Sequence, residues 1–115
     1  MLVPIEELES RWLEMENPMA LLPLLEYSYP EVLDNIKTSK VLSSELLEQV
    51  VEYSLRFPSR HWALSAVLWI ENGFVINSDI YDGLIRISKD KTDSQRLRHK
   101  AFAQANRWKR GVGIK

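Results

Sequence analysis

The stretch RHWALSAVLWIENG, residues 60–73, is the only long segment of this 115-residue chain that is apolar almost all round. At about 100° per residue, Trp62, Ala63, Ala66, Val67, Trp69 and Ile70 fill more than one side of a helix, and Leu64 and Leu68 intrude on the rest. Such a helix must be covered from several directions. Ser59 precedes it as an N-cap, and Gly73 follows it where a left-handed C′ residue is expected. The segment therefore reads as a buried central helix, with Trp62 and Trp69, one heptad apart, in the core.

The segments on either side continue the helical pattern. Upstream, Ser43 or Ser44 caps ELLEQVVEYSLRF, whose Leu46, Leu47, Val50, Val51 and Phe57 keep the helical period while Glu45, Glu48 and Glu52 line the other side. Pro58 ends that helix, and so short a link to the central helix predicts an antiparallel αα-hairpin. Downstream, Phe74, Val75 and Ile76 read as a buried connection. Asn77 or Ser78 then starts a helix with Ile80, Tyr81, Leu84, Ile85 and Ile87 inward. Thr92 and Gln95 have capping-box spacing for a last helix running from Asp93 to about Arg110, and the tail 111–115 should fray.

The N-terminal third is more broken. Pro4 suits a first turn, and Ile5, Leu8, Trp12, Leu13 and Met15 recur at helical spacing among Glu6, Glu7, Glu9 and Glu14. Asn17 and Pro18 restart the chain as a cap and first-turn pair, and Pro23 interrupts the leucine-rich segment after them. Val32, Leu33 and Ile36 mark one more short helical piece. The matches Ser44-Glu-Leu-Leu-Glu and Ser78-Asp-Ile-Tyr-Asp lie 34 residues apart, and Ser10-Arg-Trp-Leu-Glu lies 34 before the first. Stacked helix pairs produce periods of this size.

The fold expected is all-α: a single domain over residues 1–115, with five to seven helices in antiparallel hairpins over 44–72 and 78–110. A short right-handed stack of helical repeats is preferred to a closed bundle.

Composition narrows the function classes. There is no cysteine, which excludes disulfides and thiolate chemistry. The N-terminus lacks a basic n-region, and no segment approaches the roughly 20 apolar residues of a membrane span. A soluble, cytoplasmic protein is expected. Glycine-rich phosphate loops, histidine pairs at ligand spacing and nucleophile-elbow motifs are absent, so no reaction, cofactor or metal is assigned. His61 and Glu71 read as structural polar residues.

The formal net charge of -1 hides a polarity along the chain. Residues 1–58 hold eleven acidic side chains against four basic, and residues 59–115 five against eleven, so the halves carry -7 and +6. From Ser94 onward there is no acid. On the last helix Leu97, Ala101, Ala105 and Trp108 share one face, while Arg96, His99, Lys100, Arg107 and Arg110 gather opposite. The apolar face is too narrow for a membrane-surface role. Trp12 and Trp108, on amphipathic terminal helices, are the tryptophans best suited to meet a partner or cap the bundle. The expected function is a non-enzymatic interaction module that binds a protein partner or itself. The alternative is a small nucleic-acid-associated protein using the basic helix.

Overall fold

The computed structural model describes residues 2–56 and 59–111, and every regular element among them is a helix. They are α1 (Ile5–Met15), a 3-10 helix (Pro18–Glu26), α2 (Val32–Ile36), α3 (Ser44–Arg56), α4 (Arg60–Glu71), α5 (Ser78–Lys89) and α6 (Gln95–Gly111). Phe57, expected as the last apolar position of its helix, Pro58 of the expected link, and the tail beyond Gly111 lie outside the described residues. Gly111 itself still belongs to α6.

The central helix ends as its sequence implies. Gly73 takes φ 110°, its N–H donates to the Ile70 carbonyl and the Phe74 N–H to the Trp69 carbonyl, both at 3.1 Å. This is a Schellman motif, and its apolar contact is the Trp69 ring against Phe74 at 5.8 Å. Trp69 is 2% exposed and donates its Nε1–H to the Tyr27 carbonyl at 2.9 Å, so the one polar atom of the buried indole is satisfied. Tyr29 packs on Trp69 at 5.5 Å and on Phe74 at 5.3 Å. Trp62 is only half-buried, unlike its heptad partner. It lies beside a shallow groove of about 620 Å³ between α1 and the 3-10 helix, lined by Met15, Met19, Leu22 and Pro23.

The starts of the helices resolve the alternatives left by the sequence. Ser43, not Ser44, caps α3 by accepting from Leu46 N–H at 3.3 Å, and Asn77 caps α5 by accepting from Ile80 N–H at 2.8 Å. Asn77 also donates to Glu52 of α3 at 2.9 Å. Ser59 holds the N-cap position of α4 but makes no side-chain capping bond. The last helix begins two residues later than expected: Ser94 accepts from Leu97 N–H at 3.2 Å, whereas Thr92 donates to Asp90 from both its amide and its hydroxyl. Those two bonds hold the Asp90 carboxyl below its ordinary range, with Arg60 and Arg98 pulling the same way.

The helices pack in layers. The α3 and α4 pair lies on the α5 and α6 pair, α3 against α5 and α4 against α6, as repeated hairpins do. The equivalent starts Ser44 and Ser78 are 34 residues apart, but Ser10 falls inside α1, so the third sequence match is not a helix start. The close approach of α5 to α3 is made possible by Gly83, which is buried against Leu55. On the other side, the 3-10 helix covers α3 and α4, and α1 rests chiefly on the 3-10 helix. Asn17 starts the 3-10 segment by accepting from Met19 N–H at 2.9 Å, and Pro23 sits inside it. The Tyr29–Pro30 bond is cis.

Several apolar residues expected to face inward do not. Leu8 is fully buried in α1, but Leu13 is 66% exposed, and Leu33 of α2 is also exposed. The connection 74–76 alternates, with Phe74 and Ile76 buried and Val75 72% exposed. An extended segment turns successive side chains to opposite faces, so three apolar residues in a row cannot all face one core.

Candidate functional site

Helix α6 earns its position through its alanines. Leu97, Ala101 and Ala105 are buried, and the small side chains let α5 and α4 approach closely. Trp108 completes this face, half-buried and tilted against Tyr81 at 4.9 Å. Trp12 is likewise half-buried and packed against the core. Both tryptophans are therefore partly engaged in packing.

The basic residues of α6 divide into two groups. Lys100 bends back to α4 and donates to both carboxylate oxygens of Glu71, at 3.1 and 3.3 Å. Arg107 donates to the Ile70 carbonyl at 3.0 Å, at the end of α4 where the helix dipole favours a cation. Arg98 donates to the Ser88 carbonyl near the end of α5 at 3.4 Å. At the other end of α4, Arg60 reaches the Thr92 carbonyl and Asp93, the latter at 3.8 Å. Helix α4 is thus tied by charge at both its ends, to α6 at one and to the turn before α6 at the other.

Arg96, His99, Lys109 and Arg110 form the second group. All four are exposed, and no ion pair or hydrogen bond engages them among the described residues. In their midst Phe102 is 52% exposed. His99 precedes it by three residues and Lys109 follows it by seven, so all three share one stripe of the helix. The outer face of α6 is accordingly cationic with an aromatic centre. Of the five basic residues expected there, Arg96, His99 and Arg110 share this outer face, while Lys100 and Arg107 serve packing. Phe102 and Lys109 were missed by sequence reasoning. The available signal was that Phe102 projects away from the Leu97, Ala101, Ala105 and Trp108 face.

The acidic first half does not meet this surface within the molecule. No ion pair joins the two among the described residues, and α1 and α6 share no substantial contact. On α1, Glu6, Ser10, Leu13 and Glu14 lie together at helical spacing, all exposed, with Glu7 alongside in a pair with Arg11 at 3.2 Å.

The remaining polar residues weighed from the sequence have structural surroundings. Glu71 is held by Lys100, and His61 is exposed with its ring edge against Trp62 at 4.5 Å. Among the described residues no group of three or more histidine, aspartate and glutamate side chains converges as metal ligands would, and no helix is long and apolar enough to cross a membrane. No protein-family model, no curated protein and no solved structure matches this chain.

Proposed function

We propose that this chain is a helical protein-interaction module whose outer α6 face binds an acidic amphipathic helix. The observation that carries the reading is the exposed Phe102 set among Arg96, His99, Lys109 and Arg110. Aromatic and arginine side chains are favoured where a partner is anchored, and unpaired cations around an apolar centre favour an acidic partner over other proteins. The same cations suit a phosphate backbone, which is the competing reading. Two features favour the protein partner. Lys100 and Arg107 are drawn away to α4, which shortens the cationic stripe, and the helix presents one exposed aromatic rather than a series on which successive bases stack.

A fluorescence-anisotropy titration with a labelled, designed helical peptide carrying Glu and Leu on one face tests this directly. The peptide should bind, weaken as salt rises, and lose at least about tenfold in affinity against the Arg96→Glu/Arg110→Glu variant. Absence of peptide binding overturns the reading. Tighter retention of a single-stranded oligonucleotide than of the peptide transfers the surface to nucleic acid.

A further inference from the structure

We infer that the acidic helix received by α6 is α1 of a second copy of this chain, so that the protein associates head to tail. The inference rests on the reading of α6 just given and names its partner.

Three observations converge. The first is charge: Glu6 and Glu14 lie on the outer face of α1, with Glu7 alongside in its pair with Arg11, and Arg96, His99, Lys109 and Arg110 lie on that of α6. The second is that each face has an exposed apolar side chain beside its charges, Leu13 on α1 and Phe102 on α6. An apolar side chain flanked by charge on both partners suits a small, specific contact. The third is topology. In the order of layers α1 lies outside the 3-10 helix, and α6 belongs to the last pair. Stacked helical folds ordinarily close such ends with a polar outer face that keeps them soluble. Here the two ends carry opposite charge, so the C-terminal end of one copy offers the N-terminal end of the next what the next layer of a stack would offer.

A contact between unlike faces is heterologous, and it continues past the dimer unless its rotation closes a ring. The weight-average mass measured by sedimentation at low salt should therefore rise with protein concentration beyond that of two chains. It should fall back as salt is added, since exposed charges are screened over roughly 8 Å at physiological ionic strength.

Paired charge reversals give the decisive test. Glu6→Lys/Glu14→Lys turns the α1 face basic, and Arg96→Glu/Arg110→Glu turns the α6 face acidic. All four positions are exposed, and unchanged far-UV circular dichroism checks that both variants fold. Each variant alone should be at least about tenfold weaker in self-association, because like charges then face each other. An equimolar mixture should associate again, because each reversed face meets its complement on the other variant. Association that survives either reversal, or a mixture that stays monomeric, overturns the inference. A chain that remains monomeric at every concentration but still binds the designed acidic peptide overturns it while leaving the function of α6 intact. If the peptide also fails, the reading of α6 falls as well.

Discussion

Gly83 of α5 lies so close to Leu55 of α3 that a Cβ added at position 83 would stand 2.9 Å from the Leu55 Cβ. Leu55 is buried, and its Cβ is fixed to the backbone, so relief requires the two helices to part. Gly83→Ala should gain about 1 kcal/mol in helix propensity and lose about 1–3 kcal/mol to overpacking, a net destabilisation. Urea melts of Gly83→Ala should show it, and adding Leu55→Ala should leave most of the loss in place, because alanine keeps the Cβ that the new methyl meets. A more stable Gly83→Ala protein would contradict the α3 and α5 packing.

Trp69 is both the largest fully buried side chain and a hydrogen-bond donor to the Tyr27 carbonyl. Trp69→Ala should cost about 3–5 kcal/mol in denaturant melts. Trp62→Ala, at a half-buried position beside the groove, should cost clearly less. Equal losses would remove the distinction between the two tryptophans.

Two capping positions that look alike in sequence should separate by mutation. Asn77→Ala removes the bond to Ile80 N–H and the contact with Glu52, and should lose about 1–2 kcal/mol. Ser59→Ala removes no capping bond and should stay within about 0.5 kcal/mol. Comparable losses at the two sites would mean that the Ser59 hydroxyl caps α4 after all.

The Asp90 turn predicts an acid dependence. Its carboxyl is held below the ordinary range by the Thr92 hydroxyl and amide, with Arg60 and Arg98 adding. A lowered folded pKa means the ionised form is favoured in the fold. The contribution is then fully present above the unfolded value of about 3.9 and is lost as pH falls through the lower folded value. Asp90→Asn should therefore flatten the acid limb of the stability profile in that window and leave its slope near neutral pH unchanged.

The all-helical architecture was legible because caps, glycine and proline punctuate this chain at its helix ends. Gly73 is the plainest case, its positive φ and two closing hydrogen bonds matching what a glycine after WIEN implies. Exposure was less legible, since an apolar residue at helical spacing says nothing of whether a neighbour covers it. Leu13 and Leu33 are exposed because no element lies over their side of the helix among the described residues. The roles of Lys100 and Arg107 were hidden for a related reason. Their partners, Glu71 and the Ile70 carbonyl, belong to a helix brought alongside only by tertiary packing. Gly83 did carry a signal, a glycine within an apolar helical pattern, which often marks a close approach.

If the outer face of α6 is kept for a partner while its inner cations hold the fold, designed-peptide affinity and urea stability should separate when both are measured for Phe102→Ser and Lys100→Met. Phe102→Ser should lose at least about tenfold in peptide affinity with stability unchanged within about 0.5 kcal/mol, and Lys100→Met should lose stability while binding the peptide as well as the unmodified chain. If Phe102→Ser binds the peptide normally, or Lys100→Met is the variant that loses it, the division of α6 into a binding face and a packing face is contradicted.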